Sequence, residues 1–368
     1  MITETDIPGG IAWLAGGLIA ARTLADLWLE RLNQRHLDRF ADAVPDAFRG
    51  VVDEATYHRT VEYTRARSRL SQVESIWSAV VLCLVLFSGV LPLLWNLHAA
   101  RLGSGEWSVA WFLLSAMTAV SLTDLPLDWY AQFRLEERFG FNTTTRKLWW
   151  IDRVKGLVIG AVLVIPLVWL LLKTVGWAGD LWWLYGGLLV IAFQLVMAFV
   201  APIWLLPLFN KFTPLAEGAL RERLLALARR TRFQARAIEV MDGSKRSRHS
   251  NAFFTGLGQF RKIVLFDTLI EQLDEAEVEA VLAHEIGHFR LRHVPKMLLI
   301  GSAQVLAGFW VLAWLAGKPA FYEAFGLPPQ PVGLAFLLFA LLAGTVLFWV
   351  SPLFNRWSRK HEYEADAF

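Results

Sequence analysis

Seven stretches of this chain, near residues 9–29, 75–98, 107–127, 155–175, 181–206, 296–316 and 332–350, are apolar over the about 20 residues that a helix needs to cross a bilayer. Backbone N–H and C=O groups in lipid find no water and must bond within their own segment, which leaves the helix as the natural solution for runs of this length. The chain is therefore expected to be an all-α dominated polytopic membrane protein of about seven transmembrane helices. Composition agrees: 55% of the 368 residues are hydrophobic and only 19% are charged, with a mean hydropathy of +0.42. The first and third runs are the weakest. One is glycine-rich and ends in Arg22, Asp26 and Glu30; the other contains Asp124 and Pro126. Asp124 either faces a wet interior or stands just past the end of its span.

Charge orients the spans. Loops 30–74 and 128–154 hold eight arginines and five Lys/Arg, whereas the connections near 99–106, 176–180 and 317–331 hold only Arg101 and Lys318. The positive-inside rule then predicts 30–74, 128–154, 207–293 and 351–368 on the cytoplasmic side, with the amino terminus on the other. No small-residue cleavage site follows the first apolar run, so no removable signal peptide is expected. Trp149, Trp150, Trp177, Trp182 and Trp183 fall near span ends, where amphipathic rings favour the interface. The net charge of +3 makes no case for nucleic acid. The single cysteine, Cys83, excludes an internal disulfide and a Cys-rich metal site, so metal ligands must be His and carboxylates.

These readings divide the chain into 1–206 with spans one to five, a polar region 207–293, and 294–368 with the last two spans and a charged tail. The polar region opens on a helical pattern over 214–233, with Leu220, Leu224, Leu225 and Leu227 among arginines. Asp242-Gly243-Ser244-Lys245 then breaks the periodicity. Residues 261–268 read as a short buried strand. Asp274 followed by Glu277 is a capping-box pattern and predicts a helix running to about Arg292, before Pro295.

Inside that helix stands Ala283-His284-Glu285-Ile286-Gly287-His288. Positions i and i+4 share a helical face, so His284 and His288 can offer imidazole nitrogens to one metal ion, while Glu285 is placed to accept a proton from an attacking water. A catalytic zinc takes three protein ligands and keeps one position open. His249, His293, His361, Glu362 and Glu364 are the candidates for the third. Glu362 and Asp366 are four apart and share a face if the tail is helical. One carboxylate could then bind metal while the other orients a ligand histidine through its second ring nitrogen. His361 is the rival ligand. His293, five residues past His288, reads as a basic residue at a helix end. Two histidines with a carboxylate favour zinc over other divalent ions.

Together with Phe139-Gly-Phe-Asn-Thr-Thr-Thr145, His249-Ser-Asn-Ala-Phe-Phe-Thr-Gly256, Arg261-Lys-Ile-Val-Leu-Phe-Asp-Thr268 and Asn355-Arg-Trp-Ser-Arg-Lys-His-Glu-Tyr-Glu-Ala-Asp366, the helix motif resembles the type I CAAX prenyl protease family. These are membrane-embedded HExxH metalloendopeptidases of the gluzincin type. The resemblance implies seven spans with a small α+β zinc-protease region at the cytoplasmic face. It also implies one Zn2+ on His284, His288 and Glu362, Glu285 as general base, and Asp366 as the carboxylate behind a ligand histidine. It makes 249–256 an edge strand along the cleft, with Asn251, Ala252 and Phe253 as substrate-binding residues that accept a peptide backbone as an added strand. A large water-filled chamber and a further cytosolic segment past the Glu-Ala-Asp motif belong to the same expectation, so the sequence reads as truncated at Phe368.

Peptide or protein substrates, lipidated or membrane-associated, are the expected partners, along with the bilayer. The Arg-, Leu- and Trp-rich composition points to a prokaryotic source and a bacterial inner membrane, where unfolded or membrane proteins are better candidate substrates than prenylated ones. Two other classes compete. A seven-span receptor or transporter gives no reason for a capped HExxH helix, and a zinc-binding scaffold without catalysis gives none for Glu285.

Overall fold

Each apolar run is helical in the computed structural model, which describes residues 6–233, 236–255 and 261–368. The membrane-type helices begin with α1 (Asp6–Phe40), α2 (Glu54–Phe87), α3 (Val90–Leu102) and α4 (Glu106–Leu122). After a break at Asp124 come α5 (Leu125–Tyr130), a π turn over Ala131–Glu136, and α6 (Glu137–Phe139). Then follow α7 (Arg146–Trp177), α8 (Trp182–Val200) and α9 (Leu206–Phe209). Six helical segments among the described residues are long and apolar enough to cross a membrane, and the pair α4 to α6, bent by 45°, makes a seventh if it is one span.

Several boundaries differ from the hydropathy reading, two of them instructively. The run 75–98 is not one helix, because the chain breaks at Gly89, which adopts φ +80°. In the other direction α2 begins within the expected loop 30–74. Asp53 caps it, accepting from Thr56 N at 2.9 Å. Hydropathy detects only the lipid-soluble part of a helix; the turns before it are rich in Arg and Glu, good helix formers, and simply continue it.

The chain divides into two compact units. The first contains Met1–Phe139, Gly160–Trp182 and Val311–Ser351. There α1 packs along α2, α2 against α3, and α3 against α4. Its buried side chains include Leu86, Leu91, Trp95, Phe112, Tyr322 and Leu338.

The second unit contains Gly140–Ile159, Trp183–Trp310 and Pro352–Phe368. It holds the polar region, in which β1 (Phe212–Pro214) precedes α10 (Ala219–Arg230), β2 (Ala237–Met241), β3 (Ala252–Thr255) and β4 (Lys262–Phe266). The sheet order is β1-β2-β4-β3, with β2 and β4 parallel and the outer pairs antiparallel. After α11 (Asp267–Gln272) come α12 (Glu275–Arg290) and α13 (His293–Ala316). The chain then continues through α14 (Pro319–Glu323) to α15 (Gly333–Asp366), a single helix whose last turns, from Pro352, belong to the second unit. The last span and the expected ligand-bearing tail are thus one element. The predicted strand at 261–268 is β4, whereas the helical pattern at 214–233 is shorter than expected, since Phe212–Pro214 pair with β2.

Candidate active site

The sequence of α12 specifies both its start and its buried face. Asp274 Oδ1 accepts from the backbone N–H of Ala276 and Glu277 at 2.8 and 2.9 Å, and Glu277 Oε2 accepts from Asp274 N at 2.9 Å. A cap of this kind contributes about 1 kcal/mol. Val278, Leu282 and Ile286, at four-residue spacing, are buried with Leu224 and Leu227 of α10 and Ile263 and Leu265 of β4. That burial sets the rotation of the helix and leaves His284 and His288 on a different face. Gly287 lies beside the end of α15: a Cβ there would sit 3.1 Å from Ala365 O and 3.2 Å from Ala365 Cα. The absent side chain is what lets the tail of α15 lie against α12.

The carboxylates reach the histidines through that close approach. His284 Nδ1 meets Asp366 Oδ1 at 2.8 Å; since a carboxylate only accepts, the ring nitrogen donates and Nε2 keeps its lone pair. His284 Nε2 and His288 Nε2 are 3.1 Å apart, and Glu362 Oε2 is 3.5 Å from each. Zinc held at about 2.0–2.1 Å in a tetrahedron separates its ligand atoms by about 3.3–3.4 Å, so this triangle fits one zinc ion with a fourth position left over. The donor set, two imidazoles and a carboxylate, suits the same ion. Glu285 adjoins the triangle. Burial pushes its carboxyl above the ordinary carboxylate range; His284 opposes this and the charge of Glu362 adds to it.

The other candidates fall elsewhere. His249 stacks on Phe141, with centroids 4.4 Å apart, and is not in the donor triangle. His361 is buried and stacks on His293. His293 is not a solvated base at a helix end: it is the first residue of α13, 1% exposed, and it contacts His288 and Glu364. Pro295 falls in the first turn of α13, where its missing N–H costs nothing. β3 pairs only with β4 among the described residues and so forms a sheet edge; Gly256, the last residue of the expected strand, lies outside them. Within the expected substrate strand, Asn251 is exposed and accepts from Ala252 N through Oδ1 at 2.8 Å, Ala252 is buried in the core, and Phe253 packs edge-on against Phe266.

Sequence reasoning missed what holds the start of that strand. The Phe139–Thr145 motif pins residues 246–249: Thr143 N and Thr144 Oγ1 both donate to Arg246 O, and Arg248 N donates to Phe141 O. The Arg246 guanidinium in turn forks onto Asp152 and donates to Asn210 Oδ1 and Phe209 O. The partners lie 36 to 102 residues apart, and no local pattern announces them.

The chain matches known proteins over most of its length. Residues 33–211 match a family model described as CAAX prenyl protease N-terminal, five membrane helices, and residues 214–368 match Peptidase family M48. CAAX prenyl protease 1 of Saccharomyces cerevisiae is 32% identical over 366 residues, spanning 92% of this chain and 80% of the yeast protein. The chain belongs to the type I CAAX prenyl protease family. The human CAAX prenyl protease 1 homolog is 30% identical over 386 residues, covering 91% of this chain and 80% of its own length. A crystal structure of S. mikatae Ste24p matches with a TM-score of 0.91 at 30% identity, over 97% of this chain and 87% of that one. Like other type I CAAX prenyl proteases, the chain is a multi-pass membrane zinc metalloendopeptidase.

Proposed function

We propose that His284, His288 and Glu362 hold one Zn2+ per chain, that Glu285 is the general base, and that Asp366 orients His284. The observation that carries the assignment is the convergence of two imidazole Nε2 atoms and one carboxylate oxygen within 3.5 Å of one another. When bound, zinc supplies a Lewis acid that lowers the pKa of water and polarises the scissile carbonyl. Glu285 takes the proton of the attacking water and delivers it to the leaving amine. Its burial raises the carboxyl's affinity for a proton, the direction that favours accepting one. Asp366 holds the Nδ1 proton of His284, so Nε2 stays free to ligate.

The substrate is read as an extended peptide that adds to β3 beside Asn251, Ala252 and Phe253. The Ala252 methyl is buried in the core, which suits recognition through backbone hydrogen bonds. The excess of Lys and Arg in the neighbouring loops supports a site on the cytoplasmic side, and we read the membrane as a bacterial inner membrane with unfolded or membrane-associated proteins as substrates. The relatives' name, CAAX prenyl protease, favours a second reading, a prenylated carboxyl-terminal segment.

The test is cleavage of a quenched fluorogenic peptide by detergent-purified protein, with chelator, with zinc restored, and with Glu285→Gln. We expect chelation to stop cleavage and zinc to restore it. The variant should bind zinc and lose a factor of about 10²–10⁴ in turnover. Substantial cleavage by the zinc-loaded variant would overturn the base assignment, and chelator-resistant cleavage would overturn the metal site. Matched peptides with and without a farnesyl group separate the two substrate readings.

A further inference from the structure

His293 stands five positions past His288, a spacing that takes the second ring off the face of the first on a straight helix. The chain does not stay straight. Arg292 adopts φ +57°, ending α12 and starting α13 at once, and this turn brings His293 back against His288. His288 Nδ1 and His293 Nδ1 are 3.0 Å apart, and His293 Nε2 is 3.0 Å from Glu364 Oε2. The other oxygen of Glu364 faces Lys360 Nζ at 3.7 Å.

Proton positions follow from the chemistry of the last partner. A carboxylate only accepts, so His293 Nε2 carries the proton and donates it to Glu364. In the neutral ring Nδ1 is then bare and accepts. His288 Nδ1 must therefore be the donor, and the lone pair of His288 is left on Nε2, the atom 3.1 Å from His284 Nε2. We infer that His293 and Glu364 form a positioning relay that sets the tautomer and ring orientation of His288, as Asp366 does for His284. The relay rests on the zinc assignment proposed above, and neither residue touches substrate.

His293, His361 and Glu364 also bring their donor atoms within 4.8 Å of one another, so a second cation site is the rival reading. Ring geometry opposes it. The imidazoles of His293 and His361 are stacked with centroids 4.0 Å apart and planes 12° from parallel. An imidazole ligates in its own plane, and two rings stacked this nearly parallel direct their lone pairs side by side instead of at one point. Buried His361 Nδ1, which has no hydrogen-bond partner among the described residues, belongs to a ring packed between His293 and Trp357.

The experiment measures zinc affinity of the full chain in detergent by competition with a chelating dye, alongside the visible spectrum of the Co2+-substituted protein. His293→Phe keeps the stack on His361 and removes the acceptor. It should weaken zinc binding about 10–100-fold and shift the Co2+ bands. His293→Gln, whose amide oxygen can accept from His288, should recover part of both. Glu364→Ala, at a half-exposed position that does not threaten folding, should weaken binding in the same direction by a smaller factor. His361→Phe should leave affinity and spectrum at wild-type values. Unchanged affinity and spectrum in both His293→Phe and Glu364→Ala would overturn the relay. So would two zinc ions per wild-type chain with one lost in His361→Phe. A wild-type chain that binds no zinc would instead overturn the metal site itself.

Discussion

Glu362 and Asp366 illustrate how far single residues could be interpreted before any contact was known. Their spacing of four put both carboxylates on one face, and the HExxH pattern supplied two imidazoles and a base. Spacing alone left open which carboxylate meets which ring, because that depends on where α15 ends against α12; the family resemblance assigned the metal to Glu362. In the folded chain Asp366 reaches His284 Nδ1 and Glu362 faces both Nε2 atoms. Asp366→Ala is therefore expected to keep all three proposed ligands yet lower zinc affinity about 10–100-fold, measured by chelator competition. An unchanged affinity would remove Asp366 from the site. His293 shows the opposite case: a lone histidine past the motif carries no local sign that a left-handed Arg292 will fold it under His288.

Among the elements, α12 was the most legible, since its capping box, its buried stripe and its two histidines all lie within sixteen residues. The sheet was the least. β1 has three residues, and β2 is recognisable only through its parallel pairing with β4. Long helices were legible in their apolar parts, whereas the polar extension of α2 and the break at Gly89 were not. Gly287 links α12 to α15 and offers a test of that packing. Gly287→Ala raises helix propensity, by about 1 kcal/mol in an exposed helix. Here its Cβ would press on the backbone of Ala365 at 3.1–3.2 Å. We expect the tail of α15 to be displaced and zinc affinity to fall at least about tenfold, with far-ultraviolet circular dichroism retained. Wild-type affinity in Gly287→Ala would mean that the tail tolerates the shift.

For the molecule as a whole, the testable statement concerns orientation. The excess of Lys and Arg in 30–74 and 128–154 predicts that 207–293 shares their side and that 99–106 lies opposite. In a Cys83→Ala background, single cysteines at exposed Ser104 and Glu217 should label from opposite sides of sealed vesicles with an impermeant maleimide. Labelling from the same side would overturn the orientation.

Lipid solubility, charge bias and the identity of donor atoms are properties of short stretches of chain, so the membrane class and an approximate number of spans could be inferred from the order of amino acids, and candidate metal ligands named. Bringing His284, His288 and His293 to Glu362, Glu364 and Asp366, about seventy residues further on, is a matter of packing. It depends on a core that rotates α12, a glycine that admits α15, and a turn that reverses α13. Contacts of that range have no local signature, because each is set by the shape of a surface contributed from elsewhere in the chain.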